Sequence, residues 1–354
     1  VKFLIIKPSS LGDIIHTFPA AEMLSRTFPE SEFHWVASSE LCQIVSLHPA
    51  ISRCIPFPRK EISRFRLSAI KSYIRELKAE EYDAVIDFQG LFRSGISAHL
   101  ARTGRRFGFA AGREFSPRFY SHRIVTPPDM PHAVDKNCFL ASEVIRHFTG
   151  HGWEGAFPDA SLRLPEEWRS KAAERIDALP GDAGSPLIAV GCSSRWESKS
   201  WPIDFFAQVI TRVRQELPGA RIWLLGSPDE RERTEALRQA SSLPEACNCA
   251  GRTDLGTLAA MLEQSTLLLT NDSGPMHIAA AFRTPCVALF SATYSDRTGP
   301  WGPPGRHTVL HSACPDAPCF KRQCPFKDGR RCSDGTNPAD VAGIIRTIAA
   351  GGTN

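Results

Sequence analysis

The sequence has no long apolar run: none reaches the roughly 18 residues that a bilayer-spanning helix needs. The segment Val1 to Pro8 is too short and too soon polar for a secretory signal. Neither a Gly-x-Gly-x-x-Gly fingerprint nor a Walker phosphate loop is present. These absences argue against a transmembrane protein and weaken the case for a nicotinamide-dependent or phosphate-loop enzyme. We therefore expect a cytoplasmic protein.

The composition is that of an ordinary globular protein. The chain has 354 residues, of which 42% are hydrophobic and 23% charged, and its length favours two domains. Residues 1–150 hold 20 Lys and Arg against 15 Asp and Glu, whereas the remaining residues hold 22 against 23. The basic first half predicts an anionic partner, although a solvated basic face explains the charge equally well.

Short apolar runs alternate with amphipathic stretches of helical length, which is typical of parallel sheets covered by helices. A stretch rich in Gly, Pro and Asp near residues 149–186 indicates a boundary. We predict a first α/β domain over 1–160, a linker region over 161–185, a second domain over 186–335 and a C-terminal helix over 336–354. The predicted strands are 2–6, 32–37, 84–88, 187–190, 221–225, 266–270 and 285–290, and the predicted helices are 14–27, 68–80, 165–179, 202–216, 229–240, 255–263 and 275–281.

The loop after the first predicted strand ends in Ser10, Gly12 and Asp13. Parallel sheets place their sites beyond the carboxyl ends of strands, so Asp13 is a candidate general base. A carboxylate in a first helical turn that complements the helix dipole is the alternative. The local sequence leaves both interpretations open.

Three later loops also carry polar groups suited to a nucleotide. The loop after residue 190 offers hydroxyls and two cations that can neutralise a diphosphate, and Asp272 precedes a helix start whose amides suit phosphate oxygens. Glu230 is placed to bind ribose hydroxyls. Surface cations, a first-turn carboxylate and a core histidine are the alternatives. The candidates are Ser193, Ser194, Arg195, Lys199, Glu230, Asp272, Ser273, Gly274 and His277.

Eleven cysteines in a chain without a leader favour free thiols or metal ligands over a disulfide framework. Seven are scattered, and we interpret them as small core residues: Cys42, Cys54, Cys138, Cys192, Cys247, Cys249 and Cys286. Four others form a Cys-rich loop over 314–332, with four, four and seven residues between them, and are a candidate zinc or iron site: Cys314, Cys319, Cys324 and Cys332. Reduced thiols or a redox-sensitive pair are the alternatives.

Four strings carry a resemblance to a known family: KPSSLGDIIHTFPA from Lys7, DFQGLFRSG from Asp87, SRWESKSWP from Ser194 and TNDSGPMHIAAA from Thr270. Together they resemble the bacterial lipopolysaccharide heptosyltransferases of glycosyltransferase family 9, and especially the enzymes that add the first heptose. The resemblance implies a GT-B fold, with two Rossmann-like domains facing a central cleft. It also implies inverting transfer of heptose from ADP-heptose to the Kdo/heptose inner core.

The same resemblance implies roles for residues. Asp13 becomes the catalytic base, Lys199 the cation on the diphosphate, Glu230 the ribose ligand and Asp272 the ligand of the heptose hydroxyls. The first domain binds the acceptor and the second the nucleotide sugar, with Ser273 and Gly274 supplying amides. Candidate acceptor-binding residues are Ser10, Gly12, Arg59, Lys60, Arg64, Arg66, Gln89, Arg93 and Arg113.

The implied partners are ADP-heptose and an anionic lipid A–Kdo acceptor, with peripheral contact at the inner membrane surface. No catalytic metal and no nucleic acid are expected. A transferase for another nucleotide sugar and a Rossmann-type oxidoreductase or epimerase remain as alternatives. A nucleic-acid module built on the Cys-rich loop is disfavoured, because that loop is small beside two α/β domains.

Overall fold

The structure, a computed structural model, describes residues 1–64, 66–324 and 330–352. The chain forms two compact units, Val1–Arg163 and Leu164–Asn354, which we call unit 1 and unit 2. Each unit is a parallel sheet covered by helices, which confirms the predicted fold class. In the described parts of the chain, no helix combines the length and the apolarity that crossing a bilayer requires.

Unit 1 contains a six-stranded parallel sheet. Its strands are β1 (Lys2–Ile6), β2 (Glu32–Ser38), β3 (Ile51–Phe57), β4 (Ala84–Asp87), β5 (Arg106–Phe109) and β6 (His122–Ile124). Its helices are α1 (Leu11–Ile15), α2 (Phe18–Thr27), α3 (Cys42–Val45), α4 (Arg59–Ser63), α5 (Leu67–Lys78), α6 (Phe92–Leu100) and α7 (Ala133–Thr149). The strand order is β3-β2-β1-β4-β5-β6, so the order reverses between β1 and β4, where α/β sheets open a crevice.

Unit 2 contains a five-stranded parallel sheet. Its strands are β7 (Leu187–Gly191), β8 (Arg221–Leu224), β9 (Leu267–Asn271), β10 (Cys286–Phe290) and β11 (Thr308–His311). Its helices are α8 (Glu166–Asp177), α9 (Ile203–Glu216), α10 (Arg231–Ala240), α11 (Leu255–Gln264), α12 (Gly274–Ala281), α13 (Ser295–Thr298) and α14 (Pro338–Ala349). The order β11-β10-β9-β7-β8 reverses between β7 and β9.

Buried apolar strands explain why most predicted elements appear within two residues of their expected ends. All residues of β7, β9 and β10 are buried, as a parallel strand covered on both faces requires. The final helix begins as predicted, because the Asn337 side chain accepts a hydrogen bond from the Ala339 amide at 2.9 Å and Pro338 occupies the first turn.

Two kinds of element departed from prediction. The single helix expected over 14–27 is divided into α1 and α2, because Pro19 has no amide hydrogen to continue the helical bonding and instead lies in the first turn of α2. Several elements were not predicted: strands β3, β5, β6 and β11 and helices α3, α4, α6, α7 and α13. Strand β3 lies at the sheet edge with only Ile55 and Phe57 buried, so its sequence lacks a continuous apolar run.

The interpretation of Cys42 and Cys54 as core thiols was wrong. Cys42 begins α3 and Cys54 lies on β3, and the two form a disulfide with a Cα–Cα distance of 5.7 Å. The chain passes from β2 through α3 to the neighbouring β3, which brings the two cysteines together. The other five scattered cysteines are buried and not bridged, as expected: Cys138, Cys192, Cys247, Cys249 and Cys286.

A buried carboxylate in unit 1 predicts acid sensitivity. Glu22 on α2 is 6% exposed and accepts hydrogen bonds from the Ser161 amide at 3.2 Å and from Arg26 Nε at 2.8 Å. Burial alone would raise its pKa, but hydrogen bonds from His48, Arg26 and Ser161 lower the pKa of Glu22 to about 2. A carboxylate with a lowered pKa stabilises the fold above its ordinary pKa of 4.5, and that stabilisation is lost as the pH falls toward 2.

We expect Glu22→Gln to lower the free energy of unfolding at pH 7 by about 1–3 kcal/mol, because one of the two buried acceptor oxygens becomes an amide nitrogen that cannot accept a hydrogen bond. The difference from the parent protein should shrink as the pH falls from about 4.5 toward 2. Urea unfolding followed by tryptophan fluorescence at pH 7 and near pH 3 measures both values. An equal difference at the two pH values would contradict this role.

Candidate active site

A pocket in unit 1 opens at the carboxyl ends of β1 and β4, where the strand order reverses. Its lining contains one carboxylate, three cations and two amide side chains: Asp13, Lys7, Arg113, Lys136, Gln89 and Asn137. Four of these six lie after a strand, and the other two lie in the first turn of α7 and just beyond it. Sequence analysis identified Asp13, Gln89 and Arg113 and missed Lys7, Lys136 and Asn137.

Asp13 is held in the first turn of α1. Its Oδ2 accepts hydrogen bonds from the Ser10 amide at 2.9 Å and from Ser10 Oγ at 2.6 Å. The two alternatives for Asp13 are therefore compatible in space, because the carboxylate caps the helix and also lines the pocket. Gln89 Oε1 accepts from the Ser9 amide at 3.4 Å, which joins the loops after β1 and β4. Gly12 is buried within α1.

Two buried ionisable residues, Lys7 and Asp87, form hydrogen bonds to the backbone of the loop after β4. Lys7 Nζ donates to the Phe88 carbonyl at 2.8 Å. Burial lowers the pKa of Lys7, against the opposing effect of the charges on Asp13 and Asp87. Burial raises the pKa of Asp87, which accepts hydrogen bonds from the Gln89 amide at 2.8 Å and from the Tyr120 hydroxyl at 2.7 Å. Asp87, the last residue of β4, thus holds the backbone of Gln89 through a hydrogen bond.

Several predicted acceptor-binding cations do not line this pocket. Arg59 and Lys60 lie exposed on α4, and Arg64 and Arg66 are exposed in the turn that follows. Arg93 on α6 is half-buried, and its Nε has no hydrogen-bond acceptor within the described residues. Of the predicted acceptor-binding residues, only Gln89 and Arg113 line the pocket.

In unit 2, the loop from Cys192 to Pro202, which we call the donor loop, meets the loop after β9. Lys199 Nζ contacts Asp272 Oδ2 at 2.5 Å, and Thr293 Oγ1 donates to the same oxygen at 2.6 Å. Asp272 is buried and Lys199 is half-buried. The Lys199 ammonium also lies 4.7 Å from the centre of the Trp196 ring. Two predicted site residues are thus brought into an ion pair.

The donor loop is held by its backbone. Arg233 on α10 donates to the Cys192 carbonyl at 3.1 Å and to the Trp201 carbonyl at 2.9 Å, so one guanidinium joins both ends of the loop. Asn271 Oδ1 accepts from the Trp201 amide at 3.0 Å, and Ser194 Oγ donates to the Asp272 carbonyl at 2.9 Å. Sequence analysis missed Arg233, because nothing in a helical arginine indicates a distant loop.

The remaining donor-site candidates lie around this loop. Within the described residues, the amides of Ser273 and Gly274 at the start of α12 donate to no protein acceptor, whereas the Met276 amide donates to the Ser273 carbonyl at 3.2 Å. The Met276 amide is therefore already bonded within the start of the helix. Ser193 and His277 are buried and Arg195 is exposed. Glu230 Oε2 accepts from the Ser227 amide at 2.7 Å in the loop after β8.

The four cysteines of the Cys-rich loop are partly buried. Burial, followed by the Cys324 thiol and the charges of Cys319 and Cys314, raises the pKa of Cys332 to about 12. Among residues 1–64, 66–324 and 330–352, however, no three or more His, Cys, Asp or Glu side chains form a group that could hold a metal ion. The described structure does not support the predicted zinc or iron centre.

Comparison with known proteins places this geometry in a family. The model of glycosyltransferase family 9 (heptosyltransferase) matches residues 70–329. The lipopolysaccharide heptosyltransferase 1 of Pseudomonas aeruginosa is 30% identical over 336 residues, covering 92% of this chain and 88% of that protein.

Solved structures share the fold. The Escherichia coli heptosyltransferase WaaC with ADP has a TM-score of 0.76 at 23% identity and covers 98% of this chain and 100% of its own. A family 9 glycosyl transferase from Veillonella parvula has a TM-score of 0.81 at 22% identity, with coverages of 99% and 97%. These likenesses confirm the GT-B fold class, and the sequence relatives favour a glycosyltransferase over an oxidoreductase or epimerase. The match to the family model and the 30% identity show that this chain belongs to glycosyltransferase family 9, the heptosyltransferases.

Proposed function

We propose that this enzyme transfers heptose from ADP-heptose to the Kdo residue of the lipopolysaccharide inner core, with inversion, as the first heptose addition. The observation that carries the proposal is the pocket in which Asp13 lies among Lys7, Arg113 and Lys136. The relative from P. aeruginosa is named heptosyltransferase 1, and the E. coli structure contains ADP. Both support the choice of donor and step.

In this proposal residues 1–160 bind the acceptor. A Kdo carboxylate carries negative charge, and the three cations of the unit 1 pocket are suited to bind it. Asp13 accepts the proton of the attacking hydroxyl. Ser10 holds one carboxylate oxygen of Asp13 through two hydrogen bonds, which fixes the direction of the base.

Residues 186–335 bind the nucleotide sugar. Lys199 binds the diphosphate together with the amides of Ser273 and Gly274, which point from the start of α12. Glu230 binds the ribose, and Asp272 binds heptose hydroxyls. Ser193, Ser194 and Arg195 belong to the donor loop, and they bind the nucleotide sugar together with His277, which is buried on α12.

The reaction then forms one bond and breaks one. The acceptor oxygen forms a bond to the anomeric carbon, the bond from that carbon to the diphosphate oxygen breaks, and ADP leaves with the electron pair. The hydroxyl proton passes to Asp13. Negative charge develops on the diphosphate, where Lys199 and the helix amides stabilise it. The proposal assigns this stabilisation to protein groups, without a catalytic metal.

The direct test is transfer from ADP-heptose to lipid A carrying Kdo, with and without a first heptose, in the presence of EDTA. We expect product only on the acceptor that lacks heptose. Asp13→Asn should lower kcat by about 10²–10⁴-fold, because the base is removed, while ADP affinity stays within about 2-fold. Isothermal titration calorimetry measures that affinity.

Asp129→Asn is the matched control, because Asp129 is an exposed unit 1 aspartate outside the pocket, and it should behave like the parent enzyme. If Asp13→Asn retains transfer, Asp13 is not the catalytic base. The same conclusion follows if that variant loses ADP binding while its fold is intact. Absence of transfer to either acceptor by the parent enzyme would reject the proposed function.

The two hydrogen bonds from Arg233 to the ends of the donor loop generate a further prediction. Arg233→Lys cannot donate to two carbonyls on opposite ends of the donor loop in the same forked geometry. We expect ADP affinity to fall about 10-fold, which corresponds to the loss of one or two hydrogen bonds from a charged group. Thermal denaturation and calorimetric titration with ADP separate stability from binding.

Arg214→Lys is a close control, since Arg214 Nη1 also donates to two backbone carbonyls, of Ser241 and Ser242, elsewhere in unit 2. Both variants should lower Tm, but only Arg233→Lys should weaken ADP binding. Equal ADP affinity in the two variants would show that Arg233 has no specific role in the donor site.

The exposed cations on α4 have a separate role in the proposal. Arg59, Lys60 and Arg64 stand beside two exposed apolar side chains, Ile62 and Leu67. A basic surface with exposed aliphatic groups suits an anionic bilayer. We infer that α4 contacts the membrane surface in which the acceptor is anchored.

Co-sedimentation with vesicles of phosphatidylcholine, alone or mixed with phosphatidylglycerol, tests this surface. Arg59→Gln/Lys60→Gln should weaken binding to the anionic vesicles by about 30-fold, at about 1 kcal/mol per charge. Lys171→Gln/Arg212→Gln removes the same charge from exposed helix positions in unit 2 and should have little effect. Equal loss in both pairs, or no anionic preference in the parent protein, would reject the contact.

A further inference from the structure

The segment Cys319–Cys324 of the Cys-rich loop lies directly against the donor loop, and we call this segment the strap. Ser198 donates through its amide to the Arg322 carbonyl at 3.2 Å and through Oγ to the Lys321 carbonyl. The Arg322 guanidinium lies 6.0 Å from the centre of the Trp196 ring. Ser198 and Trp196 are close neighbours of Lys199 in sequence, so the strap contacts the donor loop around its lysine.

The strap also contacts the loop that follows β10. The Phe320 amide donates to the Ala292 carbonyl at 2.9 Å, and the Phe320 ring lies 5.3 Å from the Tyr294 ring. This second loop includes Thr293, whose hydroxyl binds Asp272. It also includes Ser291, which donates to the Ser198 carbonyl at 2.7 Å. The strap therefore connects the two loops that surround the Lys199–Asp272 pair.

Few contacts hold the strap in place. Phe320 is half exposed and the Lys321 and Arg322 side chains are exposed, so no apolar core fixes this segment. At its C-terminal end, the Cys324 thiol raises the pKa of the Cys332 thiol, and Cys332 belongs to the short helix before α14. Ser198, by contrast, is only 2% exposed. Without the strap, its buried amide and hydroxyl would each lose the protein acceptor described above.

We propose that the strap is a positioning element of the donor site. Through Ser198 and Trp196 it holds the short helix Glu197–Lys199 in the orientation that presents the Lys199 ammonium to the diphosphate. Arg322 and Lys199 contact the same Trp196 ring, so the strap cation also limits the rotation of that ring. Arg322 and Phe320 are positioning residues, because they act through other side chains. The inference rests on the proposed function for its ligand, the nucleoside diphosphate.

The test uses the full-length protein with Phe320→Ala/Arg322→Gln, which removes both side-chain contacts of the strap. ADP affinity and the KM for ADP-heptose should worsen about 10-fold, the size of an exposed cation–π contact plus a ring contact. The KM for the acceptor should stay unchanged. Arg322→Lys keeps a cation over Trp196 and should recover most of the affinity that Arg322→Gln loses.

Lys321→Gln is the matched control. It removes one exposed charge next to Arg322 but leaves the Lys321 carbonyl that Ser198 uses, so donor affinity should remain near that of the parent protein. An equal loss in Lys321→Gln and Arg322→Gln would mean that the effect is general charge attraction, and the positioning role would be rejected.

Hydrogen exchange without any ligand provides an independent measurement. The Ser198 amide should exchange at least about 10-fold faster in Phe320→Ala/Arg322→Gln, because its acceptor is on the strap. If neither the exchange of the Ser198 amide nor the ADP affinity changes, the positioning role of the strap is rejected, whereas the transferase proposal is unaffected. A parent protein that shows slow Ser198 exchange but no ADP binding would instead reject the proposed function.

Discussion

The reversal of strand order in two parallel sheets is the constraint on which the candidate site residues of each unit depend. It occurs between β1 and β4 in unit 1 and between β7 and β9 in unit 2. Connections that leave neighbouring strands at such a point run to opposite faces of the sheet, so a crevice opens between their loops. Asp13 and Gln89 lie on the first pair of loops, and Lys199 and Asp272 lie on the second pair. Groups far apart in sequence are therefore neighbours because of strand pairing alone.

Each site combines opposite charges, but in different proportions. In unit 1 a single carboxylate, Asp13, lines the pocket with three cations, an excess of positive charge that suits an anionic ligand. In unit 2 Lys199 and Asp272 form a pair without excess charge. A pair of this kind keeps a buried carboxylate compensated before the diphosphate arrives. The two arrangements match the proposed division between proton acceptance and leaving-group stabilisation.

The sequence was informative where an apolar strand runs into a polar loop. Asp13, Lys199 and Asp272 became candidates in this way, while the local sequence left structural alternatives open and the family resemblance supplied their expected roles. Lys136 and Arg233 lie on helices, and their role depends on which loop the helix packs against. No local pattern carries that information. The Cys42–Cys54 disulfide was missed for the same reason, since the pairing follows from the approach of α3 to β3.

What the sequence by itself determined was the class of fold, the alternation of strands and helices, and the loops on which chemistry is to be found. These features follow from local periodicity, turn residues and the burial of whole strands. The tertiary structure alone decided which loops meet, which cations enter the Asp13 pocket and which stay exposed, and that the segment Cys319–Cys324 lies against the loop that carries Lys199. Such outcomes depend on long-range packing and on the direction of each side chain, and a one-dimensional pattern specifies neither.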